Sequence, residues 1–73
     1  MTLRELNVGE SARIASVGGD ERLRRRLLDM GLTPGTSVNV RKVAPLGDPI
    51  ELMLRGYVLT IRLDEAEKIT LNR

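Results

Sequence analysis

The sequence contains no cysteine, histidine, phenylalanine or tryptophan, and Tyr57 is its single aromatic residue. Without cysteine the chain can form neither a disulfide framework nor a thiolate zinc site. Without histidine it can supply neither a histidine-dependent catalytic triad nor an imidazole-ligated metal centre. Since it also offers no nucleophile–base pair, we expect a protein that is not an enzyme and holds no cofactor.

Signals for membrane insertion and export are also missing. No apolar run approaches the ~20 residues that a membrane-spanning helix needs. Residues 1–5 carry an acidic side chain early and no continuous apolar core, so we expect no signal peptide. These features predict a cytoplasmic protein without direct membrane insertion.

The charges nearly balance, with 12 Lys and Arg against 10 Asp and Glu and a formal net charge of +2. Four arginines cluster in one segment: Arg22, Arg24, Arg25 and Arg26. Nucleic-acid-binding surfaces often add aromatic side chains that stack bases, and this chain lacks them. We expect no nucleic-acid partner, although a basic nucleic-acid-binding barrel stays open as an alternative. The length of 73 residues and the apolar content of 41% indicate one globular domain over 1–73.

A helix is predicted over residues 20–30. Asp20 is a suitable N-cap, and Gly31 can take the left-handed conformation that ends a helix. Between them, apolar residues recur at helical spacing and form one stripe: Leu23, Leu27 and Met30. Leu28 lies off this stripe, between Arg24 and Arg25, and we expect it to point away from the core.

The rest of the chain shows the pattern of short strands. Ser11–Val17 is one candidate, apolar and polar residues alternate over 38–41 and 50–55, and Gly56 marks a tight turn into a further strand over 57–62. Residues 33–36 suit a type II turn, 64–67 suit a helical turn capped by Asp64, and 68–71 suit a last strand. Five short strands and one helix predict a mostly β small barrel, and closing the sheet would leave no exposed edge.

Three segments carry a resemblance to a known family. Residues 26–36 (RLLDMGLTPGT) resemble the RL-x-x-MGL-x-PG signature of the FeoA family. Residues 44–50 (APLGDPI) look like its APLGDP hairpin, and 61–66 (IRLDEA) are similar to its LR-x-x-EA segment, with isoleucine where leucine is commoner. The Leu6-x-x-Gly9 opening also fits, so the resemblance covers nearly the whole chain in the right order.

The resemblance implies a five-stranded SH3-like barrel with one inserted α-helix. FeoA-like proteins are small cytosolic accessories of bacterial ferrous-iron uptake, and their expected partner is FeoB, a membrane transporter with a cytoplasmic GTPase domain. We therefore expect a protein–protein interaction module that docks on the cytoplasmic part of such a transporter and modulates it. Similar domains also occur fused at the C-terminus of iron-dependent transcription regulators. A regulatory module associated with such a protein is therefore an alternative.

Five residues are candidates for partner binding. Arg24 and Arg25 flank Leu28, which would give an arginine-rimmed apolar contact for an acidic surface. A solvated helix face with an Arg25–Asp29 ion pair is the alternative. Leu46 at a hairpin tip and Met53 on the outer face of a strand are further apolar candidates. Leu46 either protrudes, stiffened by the flanking prolines, or folds back over the barrel mouth.

Two other kinds of site are not expected. The available metal ligands are carboxylates, and ferrous iron generally prefers imidazole in its sites, so we predict no metal site at Asp48, Glu51, Asp64, Glu65 or Glu67. Grooves that bind polyproline are lined by aromatic side chains, which are nearly absent here. An SH3-like fold therefore does not imply proline-rich ligands.

The alternation places Leu52 in the core, and this placement can be tested. Leu52→Ala should remove ~2–5 kcal/mol from the free energy of unfolding. A core of this size supplies only ~3–5 kcal/mol net, so the variant should be largely unfolded. Thermal denaturation followed by circular dichroism measures this, and a melting curve like that of the parent chain would contradict the assignment.

Overall fold

The computed structural model describes residues 1–72. A short 3-10 turn, Leu3–Glu5, precedes the regular elements. Five strands follow: β1 Ser11–Val17, β2 Ser37–Val43, β3 Ile50–Leu54, β4 Tyr57–Ile61 and β5 Ile69–Asn72. Helix α1, Glu21–Asp29, connects β1 to β2, and helix α2, Leu63–Ala66, connects β4 to β5. The predicted strands and helix are all present, with ends shifted by no more than two residues.

The strands form one antiparallel sheet in the order β4-β3-β2-β1-β5. Alternation sets the buried face, since Leu52 and Leu54 are 0% and 2% exposed while Met53 between them is only half-buried. The core assignment of Leu52 is therefore confirmed. The core is aliphatic: Leu3, Leu6, Ile14, Val17, Leu27, Leu32, Val38, Val40, Ile50, Leu52, Leu54, Ile61, Ala66, Ile69 and Leu71.

The curved sheet does not close into a complete hydrogen-bonded ring. Within residues 1–72, no strand pairing joins β4 to β5, so the expectation that closure removes every edge is wrong. The outer edge of β5 is covered by the N-terminus, where Leu71 N–H donates to the Met1 carbonyl at 2.8 Å and Thr2 bridges to Thr70. The two outermost strands of the sheet, β4 and β5, are instead connected along the chain by α2.

Helix α1 has the capping chemistry that its sequence predicts. The Asp20 carboxylate accepts a hydrogen bond from Leu23 N–H at 2.8 Å. At the other end, Leu32 N–H donates to the Leu27 carbonyl at 3.2 Å, and Gly31 N–H donates to the Leu28 carbonyl at 2.9 Å. This pattern is a Schellman motif, completed by Leu27 and Leu32, which are both 0% exposed.

The loop after α1 is held against β1. Thr36 N–H donates to the Thr33 carbonyl at 3.1 Å, and Gly35 has φ of 90°, so the predicted type II turn is confirmed. Gly35 N–H donates to the Ile14 carbonyl at 2.7 Å, and Ile14 N–H donates to the Thr36 carbonyl at 2.9 Å. The turn thus returns the chain to the sheet immediately before β2.

The predicted cap of α2 is wrong. Asp64 lies inside the helix, and the N-cap position is Arg62, which makes no side-chain cap. Instead, the Asp48 carboxylate accepts from Leu63 N–H at 3.1 Å, and the Glu65 carboxylate accepts from Arg62 N–H at 2.9 Å. A distant acid and a third-position glutamate therefore satisfy backbone donors that a local cap would otherwise serve.

Gly31 is constrained twice, by a φ of 99° and by close approach of Tyr57. The Tyr57 hydroxyl donates to the Met30 carbonyl at 2.5 Å, and a Cβ on Gly31 would overlap that hydroxyl. Gly35 has a similar φ of 90° but open space around it. The two glycines therefore form a matched pair that separates backbone strain from steric overlap.

We predict that Gly31→Ala destabilises the fold more than Gly35→Ala. Both variants carry the strain of alanine at positive φ, of about 1 kcal/mol or more. Only Gly31→Ala also displaces the Tyr57 ring from the end of α1. Chemical denaturation of both variants measures the difference, and equal losses of unfolding free energy would show that the Tyr57 contact does not constrain Gly31.

Candidate partner-binding surface

Leu46 lies at the tip of the loop between β2 and β3, and its side chain is 96% exposed. Gly47 N–H donates to the Ala44 carbonyl at 2.7 Å, and Ala44 N–H donates to the Pro49 carbonyl at 3.0 Å. Pro45 at the second position and Gly47 at the fourth suit a type I turn. The protruding alternative is confirmed, and the leucine does not fold back over the barrel.

The arginines of α1 remain available to a partner. Arg22, Arg24 and Arg25 are exposed, and none of them belongs to an ion pair between residues of the described part of the chain. The Arg25–Asp29 pair considered from the sequence is therefore not formed there. Three guanidinium groups on one short helix give this side of the molecule a positive surface.

The predicted orientation of Leu28 is wrong. Leu28 is half-buried and packs against the hydrophobic core. A core-facing stripe on a helix is ~100° wide or more, and Leu28 lies ~100° from Leu27, which is fully buried. The Schellman turn also folds the chain back beside this last helical turn. Arg24 and Arg25 therefore lack the fully exposed apolar neighbour that the sequence hypothesis gave them.

Met53 occupies the predicted outer face of the sheet. It is half-buried and lies opposite Asn39 of β2 and Val58 of β4. Val58 is 43% exposed, so the two apolar side chains make a small outer row at the β4 side of the sheet. This row lies apart from the residues that border α1.

Helix α1 and the β2–β3 loop border an open cleft of about 570 Å³, which we call the α1 cleft. Strand β4 and helix α2 complete its walls. The lining residues are Leu23, Arg26, Asp48, Pro49, Thr60, Ile61, Arg62, Asp64 and Glu65. A neighbouring groove shares Leu23 and Arg26 and continues to Arg22 and Arg25. Three arginines of α1 and the base of the Leu46 loop, at Asp48 and Pro49, thus lie along one surface. Of the five candidate residues only Arg25 lines a depression, and Arg24, Leu28, Leu46 and Met53 line neither.

Glu65 joins the two helices at the base of this cleft. Its side chain is 12% exposed, and it pairs with Arg26 of α1 while accepting from Arg62 N–H. Asp48 joins the Leu46 loop to the same short helix through Leu63 N–H. The N-terminus of α2 therefore fixes α1 and the loop relative to each other.

Sequence reasoning missed the contacts made by Arg55. Its guanidinium donates to Thr36 Oγ1 at 2.9 Å and to Thr33 Oγ1 at 3.2 Å, which ties the β3–β4 turn to the loop after α1. Arg55 itself has φ of 49°. Gly56 predicted the turn between β3 and β4. It gave no information about the hydrogen-bond partners of Arg55, which lie 19 and 22 residues away in the sequence.

Residues 1–73 match the FeoA domain family model. The chain belongs to the FeoA family. This family is linked to ferrous iron transport, and the SH3-like fold implied by the sequence resemblance is confirmed.

A curated relative of this FeoA-family chain joins two proteins in one polypeptide. It is the Fe(2+) transport protein A/Fe(2+) transporter FeoB fusion protein of Porphyromonas gingivalis, and it is 38% identical over 69 residues. The alignment covers 94% of this chain and 8% of that relative. The chain thus spans only a small part of the curated relative that it matches.

Solved FeoA structures share the fold over nearly the full chain. The FeoA protein of Chlorobium tepidum has a TM-score of 0.90 and 48% identity, with coverage of 97% of this chain and 68% of that one. The FeoA of Stenotrophomonas maltophilia has a TM-score of 0.85 and 28% identity, with coverage of 99% and 89%. The latter is described as a procaryotic SH3 domain protein and was solved with zinc.

Most of the carboxylates considered as metal ligands have structural partners in this FeoA-family chain. Asp48 caps α2, Glu51 pairs with Arg41 at 3.3 Å, and Glu65 and Glu67 pair with arginines. Within residues 1–72, no group of three acidic residues could hold a metal ion. The absence of a metal site nevertheless stays a prediction. No helix in the same range is long and apolar enough to cross a membrane.

We predict that the two ion pairs of the α2 region differ in strength. Arg26 and Glu65 have side chains 59% and 12% exposed, whereas those of Arg4 and Glu67 are 49% and 43% exposed. Solvent weakens the second pair, which should be worth ~0.2–1 kcal/mol. The first pair should be worth about 1 to 2 kcal/mol because its carboxylate is largely removed from water.

Double-mutant cycles measure the two coupling energies. Arg26→Met with Glu65→Gln forms one cycle, and Arg4→Met with Glu67→Gln forms the matched control. Equal couplings would contradict the assignment of Glu65 as the junction between the helices.

Proposed function

We propose that this chain is a non-enzymatic interaction module that docks on the cytoplasmic part of a FeoB-type transporter and modulates it. The observation that carries the proposal is the Porphyromonas gingivalis relative, whose description names transport protein A and transporter FeoB as a fusion. Two modules within one polypeptide meet at a high effective concentration, which favours functions that need contact between them. A separate chain of the same family would achieve that contact by binding.

The Leu46 loop supports the proposal because it is an exposed apolar group on a stiff turn. Two backbone hydrogen bonds close the loop, and Asp48 connects it to α2. A side chain that is already fixed in space loses little conformational entropy when a partner covers it. Leu46 is 96% exposed, and burying its side chain against a partner would contribute ~1.5–3 kcal/mol to the free energy of binding.

The arginines of α1 add electrostatic complementarity. Arg22, Arg24 and Arg25 are free of ion pairs within residues 1–72 and would favour an acidic region of the partner. Such charges accelerate encounter and select orientation more than they raise final affinity. Leu46 would then provide the apolar anchor, while the arginines would orient the chain on the transporter.

Modulation would arise from differential binding. A module without catalytic groups can change the transporter only by binding one of its conformations more tightly than another. The direction of the effect on nucleotide turnover or transport then follows from which conformation exposes the acidic contact. This mechanism needs no chemical step on the chain itself.

We predict that Leu46→Asp weakens binding to a full-length FeoB-type transporter by at least about tenfold, because it places a charge in the apolar contact. Val8→Asp is the matched control, since Val8 is also an exposed apolar residue, at 57%, and lies before β1 rather than in the loop between β2 and β3. Titration calorimetry with the transporter in lipid nanodiscs measures both affinities, and the melting temperature of each variant verifies its fold.

Equal affinities of the parent chain and Leu46→Asp would remove Leu46 from the interface. Absence of saturable binding by the parent chain would overturn the docking proposal. A parallel titration with the soluble GTPase domain locates the contact, because binding to the full transporter alone would place it outside that domain.

A further inference from the structure

Strand β4 forms an open edge of the sheet. The β3–β4 turn has positive φ at both Arg55 and Gly56, which defines a type I′ hairpin. In such a turn Leu54 and Tyr57 form a hydrogen-bonded pair, and bonded pairs then alternate along the ladder. The backbone N–H and C=O groups of Tyr57, Leu59 and Ile61 therefore face β3, and those of Val58 and Thr60 face outward.

These outward groups have no backbone partner within residues 1–72. Val58 is 43% exposed and Thr60 is exposed as well, so neither is covered by the fold. The same two residues present their side chains on the outer face, where Val58 adjoins Met53. An added strand would find both free hydrogen-bonding groups and a short apolar row at this position.

Strand β4 also lacks the features that normally protect a sheet edge. Proteins disfavour unwanted pairing with charged residues, proline or bulges in their edge strands. Residues 57–61 contain no charge and no proline, and their register with β3 is regular. Tyrosine, valine, threonine and isoleucine moreover favour extended structure. The strand therefore has the composition of one that receives another strand.

The charges that flank β4 favour one kind of added strand over another. Arg55 precedes β4 and Arg62 follows it, and Arg62 has no ion pair within the described residues. Two copies of β4 paired antiparallel around Leu59 would bring Arg55 of each copy beside Arg62 of the other. Such like-charge contacts disfavour a second copy and favour a segment that carries carboxylates.

We propose that β4 binds an extended acidic segment of the partner protein by strand addition, with backbone bonds to Val58 and Thr60 and an apolar side chain against Val58 and Met53. The inference rests on the proposed function, because it names the chemistry of the partner segment. It also gives Met53 a contact of its own, separate from the Leu46 loop.

The first experiment uses the isolated chain and two capped peptides, Glu-Val-Thr-Val-Glu and Lys-Val-Thr-Val-Lys. NMR should show amide shifts and slowed exchange at Val58 and Thr60 with the acidic peptide, and much smaller effects with the basic one. The Leu59 and Ile61 amides, already bonded to β3, serve as internal controls. No effect of either peptide, or equal effects of both, would overturn the proposal.

The second experiment uses the full-length transporter. Thr60→Pro removes an N–H that makes no bond within the chain, and Thr60→Ala retains it. Proline should weaken binding by at least about tenfold and alanine by less than about twofold. If Thr60→Pro does not fold, amide hydrogen exchange of the parent chain bound to the transporter provides the test instead. Exchange of the Val58 and Thr60 amides should then be slower in the complex than in the free chain.

The outcomes separate the two proposals. Strand addition would be overturned, and docking retained, if Thr60→Pro did not weaken transporter binding and the Val58 and Thr60 amides stayed unprotected in the complex. Absence of transporter binding would overturn docking, and the peptide experiment alone would then decide strand addition. Concentration-dependent protection of Val58 and Thr60 in the isolated chain would identify a second copy as the occupant and overturn the acidic segment.

Discussion

The structure depends on how an open sheet of short strands shields its aliphatic core from water. The five strands contain four to seven residues each and do not close into a ring, so the segments between them must complete the enclosure. Each is fixed by a hydrogen bond to a distant residue. Tyr57 holds the end of α1, Asp48 holds α2, and Arg55 holds the turn before β2. These polar contacts act where aromatic packing is absent.

The same contacts give the surface its functional character. The α2 helix connects α1 with the Leu46 loop, so the positive helix and the exposed leucine keep a fixed relation. A partner would therefore meet a preorganised surface and lose little entropy in ordering it. Strand β4 borders the same cleft through Thr60 and Ile61, so the backbone contact proposed for β4 lies next to the proposed side-chain contacts.

Local chemistry determined what the sequence could predict. Asp20, Gly31 and the leucine spacing define α1, and alternation around Leu52 defines β3, because caps and faces depend on neighbours within a few residues. The family motifs gave the SH3-like architecture. The orientation of Leu28, the cap of α2 and the open edge at β4 depend on contacts between elements. No residue pattern encodes these contacts, so they required the structure.

If this chain acts by binding a FeoB-type transporter, as we propose, the two purified proteins should associate without further components. The most direct measurement is an equilibrium titration of the purified parent chain into the full-length transporter in nanodiscs, at two ionic strengths. We expect saturable binding with one chain per transporter protomer, and an affinity that falls at the higher ionic strength because salt screens the α1 arginines. Heats no different from those of buffer dilution across the titration would contradict it.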